Sequence, residues 1–589
     1  MRSFLLLLLV TLAGTIAAET PVSARVLVVG DNEAACVAAL QAARDGVRSV
    51  VLVSDCEMLG GQYSAQGVGP VDERVCIEGR SLDFPRSGMA LEIIEAMGAY
   101  NQVRYGRMWP GNCWSATCTI EPRPAAQIFE RLLAEGGAAL RVYRGQRPVE
   151  VLKAGDRILG VRFDGGLEVR AEITIDASDW GDVIRLGGVR HYSGVDPRSR
   201  FGEADAPEEV DEIGRMEMNP ITWTMTLEEK PDARPIPRPA GYDRDIFEQE
   251  DFWRDDGIFA EPYPTGISAV PYTQRRLVDA RHFTLKNVAG DKIQLNATVM
   301  DYPLCQWPKH VAERLERIQR GSSTLNFAEL PHEARQVVYA DAKRRSLQYL
   351  YFLQNDNVKT TARMRRFELS DEFGTDDRLP PKPYIREGLR LAAVKMLTAN
   401  EVAVPQGGQP VWAECPADAA FGFQFHLDFH PTRRRFRDPQ NRPDVWTPEH
   451  VGVRNWSRSA NRSFFPYAAF VPESAEGLLG AGKNVGVSSL VQSALRLHPQ
   501  MVLSGQCAGA LAAAALHAGL SPRQVVADAA HVRRLQARTV SPPSGRPGVA
   551  IWAWQDLAPG DADFRAANIP VVRPRPQPPT NMFWRTAVR

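Results

Sequence analysis

The chain carries no excess of charge of either sign. Its 589 residues include 70 basic and 70 acidic side chains, so the formal net charge at neutral pH is zero. Proteins that bind the phosphate backbone of nucleic acids depend on a strong positive field. We therefore predict that nucleic acid is not a partner. With 44% hydrophobic and 24% charged residues, the composition is that of a globular protein with a large core, which excludes global disorder.

Cysteine is also scarce. The chain has eight cysteines and no CxxC pair, which excludes a disulfide-built scaffold and argues against a zinc ribbon or a thioredoxin-type site. The hydrophobic core must therefore hold the fold, and we predict no metal site. Cys113 and Cys118 are close enough in sequence to form a disulfide in an exported protein, or they stay free thiols.

Beyond the first residues we expect no hydrophobic run long enough to span a membrane. Residues 4–13 form an apolar run after Arg2, and the small residues Ala17 and Ala18 follow it. This pattern predicts a secretory signal peptide over residues 1–18. A membrane anchor is the alternative, but the run is shorter than the roughly 20 residues that span a bilayer. We predict a secreted or periplasmic protein with no stable membrane insertion.

The first strong pattern after the leader is a β-α-β unit. Residues 25–30 form an apolar run that ends in glycine, as in a strand buried on both faces of a parallel sheet. The alanine-rich residues 34–44 predict a helix, and residues 49–53 predict a second buried strand. Such a unit binds ligands where the first strand meets its helix, because the helix N-terminus presents unpaired N–H groups and a partial positive charge.

The loop after the first strand matches the dinucleotide fingerprint G-x-G-x-x-G/A only in part. Gly30 supplies the tight turn and Ala35 is small enough for close packing of helix and strand. Asn32 replaces the second glycine, and asparagine tolerates left-handed dihedrals better than most residues. Asp31 and Glu33 depart from the pattern, because a carboxylate near a diphosphate repels it unless it points to solvent. This loop alone leaves nucleotide binding and an ordinary β-α-β unit both open.

An acid at the end of the second strand favours nucleotide binding. Asp55 lies 20 residues beyond Ala35, a position from which a carboxylate reaches a ribose hydroxyl. Ser54 could share that role.

Two more glycine-rich segments follow. Residues 59–69 (LGGQYSAQGVG) form a polar loop too long for a hairpin turn, and residues 480–486 (GAGKNVG) precede the turn RLHP at 496–499. An alanine-rich helix is predicted after Pro499, a residue that suits the first helical position. Its small residues would let it pack close to another backbone or to a flat ring. They are Ser504, Gly505, Ala508 and Gly509.

These segments together resemble the FAD-dependent oxidoreductases that carry a GGQ-type loop after the second strand and an RLHP-type turn before the last helix. The resemblance covers residues 25–80, 112–123, 174–178 and 465–515. It implies an α/β fold, a Rossmann-like FAD-binding domain with an inserted α+β substrate or cap domain, and FAD that is held without a covalent bond. The residues expected near FAD are Gly30, Asn32, Ala35, Ser54, Asp55, Gly60, Gly61, Gln62, Gly482 and Asn484.

Residues 196–455 lack the alternating strand and helix pattern of β-α-β units and are rich in charged residues, tryptophan and proline. We therefore expect the FAD-binding domain to be formed in two parts around an insert. The predicted divisions are 25–195 and 456–525 for the FAD-binding domain, 196–455 for the insert, and 526–589 for a C-terminal helix with a proline-rich tail. Within and after the insert we predict helices over 309–319, 328–353 and from Ser521 to about residue 539, and strands over 281–298.

One segment of the insert alternates strictly. In residues 421–430, aromatic and leucine side chains alternate with Gln424, His426, Asp428 and His430. This period of two predicts a strand with an aromatic face on the core and a polar face opposite. The polar face is either a solvated surface or a substrate-lining surface. A shared metal is disfavoured, because same-face neighbours on a strand lie roughly 7 Å apart and the two histidines are about twice as far.

Three more residues are candidates for chemistry. His498 begins the helix on the flavin side, where the helix dipole favours a neutral imidazole that could act as a base; the alternative is that it only caps and orients the helix. Arg123 and Arg496 could hold a substrate carboxylate or the anionic edge of the flavin.

Two functions remain from the sequence. The first is an exported FAD-dependent oxidoreductase that passes hydride from a small hydroxyl-, amine- or carbohydrate-like substrate to flavin, with His426 or His498 as base and Asp428 orienting an imidazole or a substrate hydroxyl. The second is a Rossmann-like binding protein that has lost tight FAD binding. No second nucleotide fingerprint follows a strand, so we expect no NAD(P)H domain; the electron acceptor is unknown.

Overall fold

The structure is a computed structural model. It describes residues 20–551 apart from 73, 78–79, 84–85, 114–115, 117, 249–273, 359, 406, 409–412 and 452–459. The predicted signal peptide and most of the proline-rich tail lie outside the described residues.

The described elements are numbered here in chain order. The strands are β1 Val22–Val29, β2 Val50–Val53, β3 Arg74–Ile77, β4 Arg80–Asp83, β5 Leu140–Tyr143, β6 Pro148–Ala154, β7 Arg157–Phe163, β8 Glu168–Asp176, β9 His191–Tyr192, β10 Ile221–Thr222, β11 Met225–Glu229, β12 Arg276–Val278, β13 Lys292–Leu295, β14 Asp301–Tyr302, β15 Phe367–Leu369, β16 Arg390–Leu391, β17 Ala419–Phe423, β18 Arg433–Asp438, β19 Arg442–Glu449, β20 Ser463–Pro466 and β21 Leu478–Gly480. The helices are α1 Glu33–Arg44, α2 Gly88–Tyr105, α3 Pro122–Ala134, α4 Asp182–Leu186, α5 Arg198–Phe201, α6 Glu212–Met216, α7 Asp245–Glu248, α8 Lys309–Ile318, α9 His332–Asn355, α10 Thr361–Met364, α11 Ala399–Val402, α12 Ser489–Gln492, α13 His498–Ala518, α14 Pro522–Ala527 and α15 Ala529–Val540.

The largest sheet among the described residues has seven strands. Its order is β5-β2-β1-β8-β7-β6, with β21 also paired to β8. Strands β5, β2, β1, β8 and β21 run parallel, and β6 and β7 add an antiparallel hairpin. All four residues of β2 are buried, as expected for a strand covered on both faces. The predicted β-α-β unit and Rossmann-type sheet are confirmed.

Helix α13 packs directly on α1. A Cβ atom at Gly505 would lie 2.1 Å from the Ala34 carbonyl oxygen, and one at Gly509 would lie 2.3 Å from that of Ala38. The two backbones therefore touch through glycine, which confirms the prediction that this helix packs close to another backbone. Among the described residues, α13 is the one helix long and apolar enough to cross a membrane, but 78% of its apolar window is buried inside the protein.

The region between residues 196 and 455 contains a second sheet. It is antiparallel, with the order β12-β13-β11-β15, and the long helix α9 belongs to the same hydrophobic core. The predicted helices at 309–319 and 328–353 are confirmed as α8 and α9. The strand expectation for 281–298 is wrong except at β13, because residues 281–290 form turns that include Asn287 at φ 57°.

The predicted strand over 421–430 is shorter than expected. Strand β17 ends at Phe423, because its partner β20 supplies pairing only as far as Ser463. Beyond it, residues 425–430 still alternate between buried and partly exposed side chains. The hydrophobic pattern therefore predicted correctly which side chains face the core, although the β17–β20 pairing ends at Phe423.

Two smaller expectations are also corrected. The helix predicted from Ser521 to about 539 is two helices, α14 and α15, because the Asp528 side chain caps α15 by accepting from the N–H groups of Ala530 and His531. Cys113 and Cys118 are both buried and do not form the possible disulfide. Cys113 Sγ donates to the Gln274 carbonyl oxygen (2.9 Å), and Cys118 Sγ accepts from the Arg86 guanidinium (3.0 Å).

Candidate active site

The turn between β1 and α1 lies against the residue after β8. Gly30 has a φ of 141°, and a Cβ atom there would lie 2.3 Å from the Ala177 carbonyl oxygen, so the position requires glycine. Asn32 accepts a hydrogen bond from the N–H of Ala35 (3.1 Å) and donates from Nδ2 to the Ala177 carbonyl (2.7 Å). Its φ is −74°, so its tolerance of left-handed dihedrals is not needed. Asn32 instead caps the helix and fixes the turn to β8.

The two acidic residues of this turn are completely buried and do not point to solvent. Glu33 accepts hydrogen bonds from the backbone N–H (3.1 Å) and the side-chain amide (2.7 Å) of Gln62. Asp31 accepts from Lys382 Nζ (2.7 Å). Burial raises the pKa of each carboxyl to about 7. Both groups therefore change charge near neutral pH.

Lys382 joins three carboxylates at the carboxyl ends of the parallel strands. Its Nζ lies 2.7 Å from Asp31, 2.7 Å from Asp55 and 3.0 Å from Asp179. Lys483 Nζ lies 3.1 Å from the other carboxylate oxygen of Asp179. Burial opposes the charge on Lys382, but these carboxylates hold its pKa well above the usual value. The lysine therefore stays charged in the buried cluster.

A cavity of about 360 Å³ lies beside this cluster. It is lined by the ends of β1 and β2, by residues just after β8, by the start of α9 and by Lys382. Of the two candidate ribose-binding residues, Asp55 lines the cavity and has a side chain that is 37% exposed. The hydroxyl of Ser54 instead donates to the Cys56 carbonyl (2.6 Å) and does not line it.

The Gly60–Gln62 segment connects the first turn with the late RLHP turn. Gly60 and Gly61 both have positive φ, and a Cβ atom at Gly61 would lie 2.3 Å from the Glu33 carboxylate. Gln62 Nε2 donates both to Glu33 and to the Arg496 carbonyl (2.9 Å). The structure thus brings together three segments that are far apart in sequence.

The late glycine-rich segment lies on the same edge. Gly482 is in contact range of Ala34 and Met501, and Asn484 Nδ2 donates to the Ser178 carbonyl (2.6 Å). Among the described residues, three buried oxygens along this edge have no hydrogen-bond partner. They are Oδ2 of Asp31, Oε1 of Gln62 and Oδ1 of Asn484.

A polar cluster begins at the side chain of Arg496. Its guanidinium donates to the Tyr384 hydroxyl (2.8 Å) and to the Asp428 carboxylate (2.7 Å). The Asp428 carboxylate lies 3.7 Å from Nε2 of His430. Arg496 is almost completely buried, whereas the Asp428 side chain is 27% exposed. The cluster therefore opens toward solvent at Asp428.

The cluster closes into a ring through His430. Nδ1 of His430 donates to the Asp301 carboxylate (2.6 Å), which also lies 3.3 Å from the Arg386 guanidinium. That guanidinium sits 4.3 Å from the centroid of the Tyr384 ring. Burial, followed by repulsion from Arg386, lowers the pKa of His430. We call Arg496, Asp428, His430, Asp301, Arg386 and Tyr384 the polar ring.

Two residues of the alternating segment stand outside the ring. Burial lowers the pKa of His426, whose ring lies 4.6 Å from that of Phe425. Gln424 is buried and donates to the Ala460 carbonyl (3.1 Å), so it ties two chain segments together and does not present an open polar face.

His498 is fully buried at the start of α13. Its Nδ1 accepts from the Asp72 N–H (3.3 Å), and its Nε2 lies 2.9 Å from the Val68 carbonyl oxygen, to which it donates. Both nitrogens are thus engaged by backbone. This geometry fits the alternative in which His498 orients the helix entry.

Arg123 lies apart from the polar ring. Its side chain is 48% exposed and pairs with Asp371 (3.3 Å), and its backbone N–H donates to Glu372 (3.2 Å). The structure therefore does not bring Arg123 together with Arg496, and a substrate- or flavin-binding role for Arg123 stays a prediction. Arg496 is the member that the fold places beside the candidate chemistry.

Residues 25–538 match the family described as FAD dependent oxidoreductase. The chain belongs to this family. FAD is therefore its cofactor, and the protein is an FAD-dependent oxidoreductase. No curated protein matches the chain.

Solved structures give weaker likenesses. A geranylgeranyl bacteriochlorophyll reductase-like protein from Thermoplasma acidophilum is 9% identical, with 88% of this chain and 83% of that chain covered and a TM-score of 0.31. An L-proline dehydrogenase from P. horikoshii is 12% identical, with 37% and 63% covered and a TM-score of 0.23. At these TM-scores neither adds to the assignment.

The residues at the sheet edge fit FAD. A cavity of about 360 Å³ is within the range of small-molecule sites, and it lies where doubly wound sheets bind dinucleotides. Asp55 can accept from ribose hydroxyls, and Lys382 and Lys483 supply positive charge beside the turn that faces the diphosphate in such folds. The unpartnered amide oxygens of Gln62 and Asn484 can accept hydrogen bonds from a flavin.

The buried carboxyls predict an FAD affinity that depends on pH. Asp31 and Glu33 have pKa values raised to about 7, so they are protonated below that pH and gain negative charge above it. Negative charge beside a diphosphate disfavours binding. We expect the Kd for FAD to rise by about tenfold from pH 6 to pH 8, measured by quenching of flavin fluorescence. The Asp31→Asn variant should show a flatter profile; an identical slope in both proteins would contradict the assignment.

Sequence reasoning missed Lys382, Asp179, Tyr384, Arg386 and Asp301. Lys382 and Arg386 lie in a proline-rich loop, where isolated charged residues usually face solvent, and Tyr384 between them belongs to no motif. Asp179 and Asp301 are single acids whose partners come from distant parts of the chain. A charged residue can be predicted to be buried only when its ion-pair partners are known. For Lys382 the partner Asp31 lies 351 positions away in the sequence.

Proposed function

We propose that this enzyme oxidises a small organic substrate with a hydroxyl-, amine- or carbohydrate-like group, which binds at the polar ring and passes hydride to FAD. FAD, when bound, supplies the hydride acceptor. The single observation that carries this proposal is the His430–Asp301 contact in a partly open polar ring that is joined to the Gln62 loop through Arg496.

His430 is the proton acceptor that the geometry favours. Because Nδ1 donates to Asp301, Nε2 is the unprotonated nitrogen. The side chain is 19% exposed, so a substrate can approach it. Its lowered pKa keeps the imidazole neutral at pH 7 and able to accept a proton. Asp301 is a positioning residue, which fixes the tautomer and stabilises the imidazolium that forms.

Arg496 and Asp428 serve substrate binding in this proposal. Asp428 is held by Arg496 (2.7 Å) and remains partly exposed, so its carboxylate can accept a hydrogen bond from a substrate hydroxyl or ammonium. His426 stays a second candidate beside it. The polar residues of 424–430 therefore contribute unequally, since the side chain of Gln424 is hydrogen-bonded to the Ala460 carbonyl.

The insert at 196–455 acts as the substrate domain in this proposal. Five members of the polar ring lie in it, namely Asp301, Tyr384, Arg386, Asp428 and His430, and Arg496 alone comes from the nucleotide-binding part. The substrate site would therefore form where the two parts meet, a common location for small-molecule sites.

The test begins with the purified protein. We expect visible flavin absorption and, because no histidine or cysteine lies in a recognised attachment motif, release of FAD into the supernatant after acid precipitation. Anaerobic mixing with a panel of alcohols, amines and sugars should then bleach the flavin with one chemical class. Protein without flavin would support the alternative, a binding protein that has lost the cofactor; flavin that stays with the precipitate would contradict non-covalent binding.

Export is part of the same proposal. The apolar run at 4–13 followed by Ala17 and Ala18 supports cleavage near residue 18. Mature protein recovered from the periplasm or medium should begin close to Glu19, as determined by N-terminal sequencing. Protein retained in the cytoplasm with its leader intact would contradict export.

A further inference from the structure

Lys382 reaches into the FAD site from the loop that also carries two members of the polar ring, Tyr384 and Arg386. Its ammonium lies between Asp55, at the end of β2, and Asp31, in the turn after β1. In dinucleotide-binding folds the first of these positions meets the ribose and the second lies beside the diphosphate. The Lys382 ammonium therefore lies between the expected ribose position and the expected diphosphate position.

The cluster around Lys382 contains more carboxyl groups than ammonium groups. Asp31, Asp55 and Asp179 contact it, and Lys483 is the second ammonium in the cluster. Asp31 Oδ2 is buried without a hydrogen-bond partner among the described residues. The turn that usually receives a diphosphate carries two buried carboxylic acids here, Asp31 and Glu33. A diphosphate beside them therefore needs a nearby cation to offset the negative charge.

We propose that Lys382 is the counter-ion of the FAD diphosphate, and that it exchanges contacts with Asp31 and Asp55 for contacts with phosphate oxygens when FAD binds. This inference rests on the FAD site assigned above and goes beyond the proposed reaction. A lysine binds phosphate as a point charge and tolerates a change of partner, because its ammonium carries three donors on a flexible stem.

The same exchange connects the cofactor with the substrate site. Tyr384 and Arg386 follow Lys382 at alternate positions of one loop, and both belong to the polar ring. Tyr384 pairs through its backbone with Thr222, and the Ile385 N–H donates to Gln66, whose amide donates to Asp179. These contacts join the loop of Lys382 both to the FAD site and to the proposed substrate site.

The experiment compares FAD with lumiflavin, which has the same ring system and no phosphate. Apoprotein is titrated with each flavin, and fluorescence quenching gives the Kd. We expect Lys382→Met to raise the Kd for FAD by at least about thirtyfold and to leave the Kd for lumiflavin unchanged, since a charge-assisted contact to phosphate is lost. Lys382→Arg, which keeps the charge, should retain most of the FAD affinity.

Two further variants separate the explanations. Lys395→Met removes a half-exposed lysine that pairs with Glu401 and should change neither Kd. Asp31→Asn combined with Lys382→Met removes the carboxylate that the lysine neutralises; its FAD affinity should stay low if the lysine contacts phosphate directly. Recovery to the wild-type Kd in this double variant would overturn the proposal.

Other outcomes are equally decisive. An unchanged FAD Kd in Lys382→Met, or a parallel loss of FAD and lumiflavin with a lowered melting temperature, would overturn the counter-ion role while the proposed reaction stands. Wild-type protein that binds no FAD would overturn both.

Discussion

Replacing His430 with alanine should slow reduction of the bound flavin by substrate about a thousandfold, with FAD affinity unchanged. General bases contribute about 10² to 10⁴ in rate, and His430 has the geometry of one. Asp301 holds its Nδ1 (2.6 Å), and the backbone N–H of His430 is fixed by Asn219 (2.9 Å). Anaerobic stopped-flow measurement of flavin bleaching gives the rate directly.

The pH profile distinguishes a base from a structural residue. Burial lowers the pKa of His430, so the imidazole is neutral at pH 7 and gains a proton only at lower pH. The wild-type rate should therefore fall on the acid side, and His430→Ala should lose this limb. Asp301→Asn should keep the fold and lower kcat. It should also move the acid-side fall in rate to lower pH, because the amide stabilises the imidazolium less well than the carboxylate does.

His426→Ala is the matched control. This histidine lies in the same segment and also has a pKa lowered by burial, but no described carboxylate within hydrogen-bond distance orients it. We expect a loss of less than about tenfold. A large loss at His426 with a silent His430 would reverse the assignment and restore the base expected from the sequence.

The sequence predicted the parts of the fold that depend on local pattern. The run at 25–30 and the alanine-rich stretch at 34–44 became β1 and α1, because continuous apolar residues suit a strand covered on both faces and small residues suit a packed helix. The alternation at 425–430 correctly indicated which side chains are buried. It could not show where β17 ends, since ladder pairing depends on the length of a distant partner strand.

The candidate site depends much more on long-range contacts. Asp55 was predicted from its spacing to the first helix, and Arg496 from the RLHP turn, because both lie in local motifs. The partners that decide their chemistry, Lys382 for Asp55 and Tyr384 for Arg496, come from a loop with no motif of its own. Arg123 is the opposite case. It lies in a segment that matches the family resemblance, but its side chain is half-exposed and pairs with Asp371.

The contact between α1 and α13 supports a second large effect, on stability. Gly505→Ala should lower the free energy of unfolding by about 3 kcal/mol, as overpacking of a rigid interior does. A Cβ atom at this position would lie 2.1 Å from the Ala34 carbonyl oxygen, so the helices must separate. Alanine favours a helix over glycine by about 1 kcal/mol, and this gain opposes the clash without cancelling it.

Chemical denaturation of the apoprotein measures that loss, and the FAD Kd should rise in parallel, because α1 begins with the cap at Asn32 and carries Glu33, which holds Gln62. Ala518→Leu enlarges an exposed residue at the end of the same helix and should change stability by less than about 0.5 kcal/mol. If Gly505→Ala were as stable as the wild type, α1 and α13 could not be in backbone contact, and the close approach that brings the two halves of the FAD site together would be wrong.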